Sequence, residues 1–215
     1  MNRPTRLMAS AIVASAALLL TACGSGGSDN GTADTARGAS DGDEKASASA
    51  DATSQPDGTK RPEIKLPKSF QVDFTGWKNS DPQLQAILDD GKERLLSSYS
   101  AIIKRDPQYD GFTFYNTSDA LRTGTTWIKQ FTDDDLTLIG KGRVYRPQPR
   151  ISPDGSGTLF YCVDESKGST KDRKTGEVTH TPAKTALVLY RTKLSKSDDG
   201  VWKTTTVQTE PGACK

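Results

Sequence analysis

The sequence predicts an α+β domain in which a curved antiparallel sheet of about four to five strands wraps around a long N-terminal helix. Three observations support this fold class. Apolar residues recur at helical spacing early in the chain, they alternate with polar residues later, and short polar turns separate the alternating runs. Helices followed by strands that tight turns connect favour an antiparallel sheet over a parallel α/β fold.

The first elements are a short strand and the long helix. Residues 70–74 alternate apolar and polar side chains, which predicts a strand. A helix is predicted from a cap at Ser80 to about Arg105, because an early proline follows the cap and Asp106-Pro107 disfavours continuation. Its apolar stripe comprises Leu84, Ile87, Leu88, Leu95, Tyr99, Ile102 and Ile103. A sheet is expected to bury this stripe.

A second helix and a series of strands follow. Ser118 is predicted to cap a helix over residues 119–131. After that helix the hydrophobic period changes to two. The predicted strands are 136–145 with a continuation at 148–151, then 158–163, 186–194 and 201–208. Residues 164–183 are predicted to form a polar loop with a hairpin tip at 174–176.

The N-terminal residues are typical of an exported protein. Arg3 and Arg6 precede an uncharged run that is too short to span a membrane comfortably, so residues 1–22 are predicted to be a signal peptide. Leu20-Thr21-Ala22-Cys23 resembles the lipobox of bacterial lipoproteins. That resemblance implies cleavage before Cys23 and a diacylglyceryl thioether on its sulfur, which would anchor the protein to a membrane by two acyl chains.

Residues 23–61 are predicted to be the lipidated cysteine and a disordered linker, and residues 62–215 the folded domain. No Val, Ile, Leu, Met, Phe, Trp or Tyr occurs in residues 24–60. Such a segment cannot bury enough apolar surface to offset its ordering entropy. As a flexible chain it would span roughly 30–37 Å.

Composition excludes several classes of function. The net charge of +2 makes no case for a nucleic-acid-binding protein. His180 is the only histidine, which excludes a multi-histidine metal site and argues against histidine-based catalysis. The acidic stretches lack the spacing of a metal-binding loop, so neither a metal nor a cofactor is expected.

The order of elements resembles that of a known superfamily. The long early helix, the 136–145 strand, Tyr161-Cys162-Val163-Asp164 and the ending Val201-Trp202…Cys214 look like the cone-shaped domains of the nuclear-transport-factor-2-like superfamily, in the version found on actinobacterial lipoproteins. The resemblance covers about residues 62–215 and implies a cone-shaped fold. Because the superfamily is functionally diverse, it implies no particular activity.

Two cysteines remain in the domain. Cys162 lies in a predicted strand, and Cys214 is next to last in the chain. Two cysteines beyond the lipidated one in an exported protein favour a Cys162–Cys214 disulfide. The alternative is a buried Cys162 and an exposed Cys214 thiol, both free.

Candidate chemistry is sparse. Asp164-Glu165 could form a catalytic carboxylate pair, but adjacent strand residues point to opposite faces, so we expect a solvent-exposed strand end instead. Six large aromatic residues are expected to fill the core or to line a pocket at the open end of the cone. They are Trp77, Trp127, Trp202, Tyr145, Tyr161 and Tyr190.

The sequence therefore predicts a membrane-anchored extracytoplasmic lipoprotein without catalytic residues. Its domain is expected to bind a small ligand or a partner protein of the cell envelope. Two alternatives stay open. The first is an enzyme that uses tyrosine and carboxylate groups in a cone pocket, and the second is a purely structural component of the envelope.

Overall fold

A six-stranded sheet and three helices make up residues 58–214, the part of the chain that the computed structural model describes. The elements in chain order are β1 (Phe70–Phe74), α1 (Pro82–Lys104), α2 (Asp110–Tyr115), α3 (Ser118–Asp133), β2 (Leu136–Ile151), β3 (Gly157–Asp172), β4 (Val178–His180), β5 (Leu187–Lys196) and β6 (Trp202–Pro211). The predicted signal peptide, Cys23 and most of the predicted linker lie outside the described residues.

The sheet is mixed, which corrects the prediction of a purely antiparallel sheet with about four to five strands. Its order is β1-β2-β3-β5-β6, with β4 paired to the end of β3. β1 runs parallel to β2, while the other pairs are antiparallel. Parallel neighbours need a long crossover, and the three helices between β1 and β2 provide it. The tight turns that join the later strands indicate antiparallel pairing, and they carry no information about the pairing of β1.

Helix α1 begins and ends with clear capping interactions. The cap is Asp81 rather than the predicted Ser80: its carboxylate accepts hydrogen bonds from the backbone N–H groups of Gln83 at 2.8 Å and Leu84 at 3.4 Å. At the other end, Arg105 adopts a left-handed conformation with a φ of 60°. The helix between them spans 23 residues.

The apolar stripe of α1 packs on one face of the sheet. Ile87, Leu88 and Leu95 are at most 1% exposed and share one core cluster with Val144 of β2 and other sheet residues. Gly91 allows a close approach at the centre of this contact. A Cβ atom placed there would overlap Cδ2 of Leu159, so the position accepts a side chain only if Leu159 shifts.

One region that was predicted to be irregular is strand instead. Residues 164–183 were predicted to be a polar loop, but β3 continues to Asp172 and β4 returns along its edge, with a tight turn between them. The predicted continuation of the 136–145 strand at 148–151 is confirmed: both runs form one strand, β2, with a register shift between Tyr145 and Gln148. Such shifts let a long strand bend without ending, and they accompany the curvature of this sheet.

A disulfide joins Cys162 of β3 to Cys214, with their Cα atoms 5.9 Å apart. Both residues are buried. Because strand residues alternate between faces, Cys162 lies on the face of β3 opposite to that of Tyr161. The bond therefore fixes the C-terminal segment against the side of the sheet that faces away from α1.

A buried carboxylate connects distant segments to α1. Asp90 is fully buried; its Oδ1 accepts a hydrogen bond from Nε of Arg61 at 2.9 Å, and its Oδ2 accepts one from the backbone N–H of Trp202 at 2.8 Å. The segment before β1 and the start of β6 are thus held to the same turn of the helix.

Candidate ligand-binding cavity

A cavity of about 510 Å³ lies between α1, α3 and the inner face of the sheet. This is within the size range of sites for small organic ligands. Its walls are largely aromatic and aliphatic. They include Phe70, Leu95, Trp127, Phe131, Leu138 and Val188.

Two tyrosines bring hydroxyl groups into these apolar walls. Tyr99 comes from α1 and Tyr190 from β5, and both line the cavity while being at most 8% exposed. Burial, reinforced by the nearby charge of Glu165, raises the pKa of each hydroxyl well above its usual value. The ring of Tyr190 stacks on Tyr161 with 5.0 Å between ring centroids, which fixes its position. Both hydroxyls are therefore neutral hydrogen-bonding groups.

Arg94 brings a positive charge to the cavity from α1. It is only 6% exposed, and its Nε donates a hydrogen bond to Oδ1 of Asn116 at 3.0 Å. Asn116 is itself fixed, because its Nδ2 donates to the carbonyl of Phe112 at 2.8 Å. Within residues 58–214 no carboxylate lies close enough to Arg94 to form an ion pair. The cavity thus contains a buried guanidinium whose charge is not neutralised by the described protein.

Glu165 brings a carboxyl group to the same cavity from β3. Burial raises its pKa from 4.5 to about 6, because the ionised form loses hydration. Glu165 follows Tyr161 by two inward-facing positions, which corresponds to about 13 Å along the strand. In the described part of the chain it forms no ion pair with Arg94. The two charges therefore stay apart within one cavity.

The structure separates the two predicted acidic neighbours. Asp164 points to the other face, where it accepts hydrogen bonds from Ser166 Oγ at 2.6 Å and from Arg143 Nη2 at 3.3 Å. The expectation that adjacent residues face opposite sides is correct. The expectation of a solvent-exposed strand end is wrong for Glu165, because β3 continues past it and the cavity covers it.

The six predicted aromatic residues divide between the cavity and its surroundings. Trp127 and Tyr190 line the cavity. Trp77, Tyr161 and Trp202 belong to the hydrophobic core. Tyr145 is partly exposed on β2, with the guanidinium of Arg143 4.7 Å from its ring centroid. Both expected roles, core filling and pocket lining, therefore occur.

The remaining candidate residues contribute nothing to the cavity. His180 is exposed on β4, with its Nδ1 2.9 Å from Oγ of Ser169. Within residues 58–214, no three His, Cys, Asp or Glu side chains form a group that could hold a metal ion. In the same residues, no helix has both the length and the apolar character needed to cross a bilayer. Cys23 lies outside the described residues.

Arg94 is the site residue that the sequence analysis missed. A signal for it is present in the sequence, because Arg94 follows Ile87 by seven residues and therefore lies on the apolar face of α1. A charged residue in such a stripe is unusual unless it has a partner or a function. For Glu165, the signal would have been a period of two that continues from Tyr161 through Val163.

No family model and no curated protein matches the chain. Solved structures show a loose likeness. The intermembrane-space region of the chloroplast protein ARC6 has a TM-score of 0.41 and 12% identity, over 60% of this chain and 96% of that one. ActVI-ORFA from Streptomyces coelicolor has a TM-score of 0.42 and 13% identity, over 60% and 97%. Aln2 from a Streptomyces species has 0.41 and 12%, over 58% and 90%. Likeness at this level assigns neither a family nor a function to the chain.

Proposed function

We propose that this protein is an extracytoplasmic lipoprotein whose folded domain binds a small, mainly apolar ligand in the cavity between α1, α3 and the sheet. The observation that carries the proposal is the cavity itself. Its 510 Å³ and its aromatic and aliphatic walls match the general properties of small-molecule sites. Six serine and threonine residues also line the cavity, and the polar groups of Arg94, Tyr99, Tyr190 and Glu165 would orient the ligand.

The test uses a neutral fluorescent probe and a variant that makes the cavity smaller. N-phenyl-1-naphthylamine is apolar and becomes fluorescent in apolar sites. We expect it to bind to the domain, and we expect Val207→Trp to weaken binding, because Val207 lines the cavity and the larger indole would take up part of it. Val178→Trp is the matched control, since Val178 is 40% exposed on β4 and does not line the cavity. Equal binding by both variants would show that the probe binds elsewhere and would refute the proposal.

The membrane anchor is part of the same proposal. It is supported by the lipobox-like Leu20-Thr21-Ala22-Cys23 and by the hydrophilic residues 24–60 that separate it from the folded domain. Mass spectrometry of the membrane fraction should find a mature N terminus at Cys23 with a diacylglyceryl group. Cys23→Ala should release the protein to the medium, whereas Ser28→Ala should remain anchored. An unmodified Cys23 in membrane-bound protein would exclude this anchor.

The finer assignment of the fold is also a proposal. We assign residues 62–215 to the nuclear-transport-factor-2-like superfamily. A curved sheet packed on a long helix, with a cavity between them, supports this assignment. An experimental structure would test it, and a sheet order other than β1-β2-β3-β5-β6 would count against it.

Catalysis is the second candidate function, and Glu165 favours it. A carboxyl group with a pKa of about 6 in an apolar cavity is suited to accept and return a proton near neutral pH. If the domain is an enzyme, ligands incubated with it will be converted, as mass spectrometry would show. Glu165→Gln will then stop conversion while binding persists. Recovery of each bound ligand unchanged would leave binding alone as the function.

A further inference from the structure

We propose that the ligand carries a carboxylate and that Arg94 binds it. This inference rests on the proposed ligand-binding function and names the chemical class of the ligand. Three features of the cavity and of the core beside it carry the argument. They are the unneutralised guanidinium, the fixed position of that guanidinium, and the neutral hydroxyl of Tyr161 beside it.

The charge of Arg94 is the first feature. A guanidinium carries five N–H donors, and Asn116 occupies only the one on Nε. Burial of a charge without a partner is costly, and folded proteins normally pair such groups or replace them by apolar residues. Within residues 58–214 Arg94 has no acidic partner, although it is 6% exposed. A ligand anion in the cavity would supply the missing partner.

The fixed geometry is the second feature. The hydrogen bond from Nε to Asn116 leaves the two Nη groups as the remaining donors of Arg94. These donors form a rigid planar fork that matches the two oxygens of a carboxylate. Because Asn116 is itself held by the carbonyl of Phe112, little conformational entropy is lost when the anion binds.

The hydroxyl of Tyr161 is the third feature. Tyr161 is 1% exposed and belongs to the hydrophobic core, directly behind the cavity lining. Arg94 lies near it, since the guanidinium charge partly offsets the upward effect of burial on the pKa of Tyr161. A neutral hydroxyl next to the guanidinium does not compensate its positive charge, so the compensating anion would have to come from the ligand.

Glu165 restricts the charge that the ligand can carry. It places a second, negative charge in the same cavity as Arg94. A single guanidinium can neutralise a monoanion, whereas a dianion would meet Glu165 with excess negative charge. Because a carboxylate carries one negative charge and a phosphate monoester can carry two, the charges of Arg94 and Glu165 together favour a carboxylate. The aromatic and aliphatic walls favour an apolar body on that carboxylate.

The test compares ligands that differ only in the charged group. 1-Naphthylacetic acid and 1-naphthylacetamide have the same ring and the same side-chain length. The affinity of each is measured at pH 7.5 from its displacement of bound N-phenyl-1-naphthylamine. The acid should bind about 10- to 100-fold more tightly than the amide, because it forms charge-assisted hydrogen bonds to a buried group. Equal affinities would refute the role of the carboxylate. Tighter binding of 1-naphthyl phosphate than of the acid would refute the preference for a monoanion.

Variants then assign the effect to one residue. Arg94→Met should remove the advantage of the acid and change amide binding by no more than about twofold. Arg143→Met is the matched control, because Arg143 is exposed on the other face of the sheet, and it should leave both affinities unchanged. If Arg94→Met weakened the binding of the acid and of the amide by the same factor, the proposal would be contradicted. If that variant does not fold, the comparison of acid and amide on the unmodified protein still decides.

The two proposals fail in different ways. If neither naphthyl compound displaces the neutral probe, and Val207→Trp leaves probe binding intact, the cavity is not a ligand site. If both compounds displace the probe equally, the cavity binds ligands but Arg94 does not select a carboxylate.

Discussion

Replacement of Glu165 by glutamine tests whether this carboxyl group destabilises the fold. Burial raises its folded-state pKa from 4.5 to about 6. The folded protein therefore binds this proton more tightly than the unfolded chain does. Above pH 6 the ionised carboxylate lowers the free energy of unfolding, and this cost disappears as the pH falls through 6 towards 4.5. A shift of this size corresponds to about 2 kcal/mol at alkaline pH.

Glu165→Gln removes the charge but keeps the shape of the side chain. We expect the variant to be more stable than the unmodified protein by up to about 2 kcal/mol at pH 8, and equally stable at pH 4.5. Urea unfolding of both proteins at the two pH values measures the difference. Burial also raises the pKa of Glu93 to about 6, but that group is present in both proteins and cancels in the comparison.

Glu177→Gln is the control, because Glu177 is exposed near the β3–β4 turn. Its effect should stay within about 0.5 kcal/mol at both pH values. The reasoning would be refuted if the Glu165→Gln variant gained the same stability at pH 4.5 as at pH 8. It would also be refuted if the variant were less stable at pH 8, since the carboxylate would then form favourable contacts that the structure does not contain.

Three further predictions concern the stability of the fold, each measured by urea unfolding. Replacing Cys162 and Cys214 together by serine should lower the free energy of unfolding by about 4 kcal/mol, because the two cysteines are 52 residues apart and their disulfide closes a long loop. A loss below about 1 kcal/mol would contradict this loop-entropy argument. Gly91→Ala should lower the free energy of unfolding by about 1–3 kcal/mol, because the added Cβ would overlap Leu159 and this outweighs the better helix propensity of alanine. A stabilised variant would show that Leu159 shifts to accept the Cβ. Asp81→Ala should lower the free energy of unfolding by about 1 kcal/mol, because the N-terminal cap of α1 is lost. An unchanged free energy of unfolding would contradict the role of Asp81 as the cap.

The limits of prediction from sequence are clearest for the sheet. Period-two alternation and turn residues locate most strands, because both signals are local. The parallel pairing of β1 with β2 depends on where a distant segment docks, and no local pattern encodes it. The extension of β3 beyond Asp164 was missed for a related reason. Its polar residues resemble a loop, and only pairing with β2 and β4 makes them strand.

The same distinction between local and distant information applies to the cavity. Alternation along β3 was sufficient to separate Asp164 from Glu165. It did not reveal that α1 and α3 enclose the space in front of Glu165. Arg94 is detectable as a charge in an apolar stripe, but its significance depends on the lack of an acidic partner within the described residues, which only the assembled structure shows.

The placement of Arg94 and Glu165 argues that the cavity is a functional site rather than a packing defect. Two largely buried groups of opposite charge would lose much of their desolvation cost by meeting, and apolar residues in their place would avoid that cost. Residues 58–214 contain neither an Arg94–Glu165 ion pair nor apolar residues in place of the two charges. Asn116 holds the guanidinium, and Glu165 lies on a different part of the cavity wall. Selection for stability alone gives no reason to keep two separate charges around an apolar space. A ligand with an apolar body and an anionic end does give one, since it would fill the space and neutralise the arginine at a distance from the carboxylate.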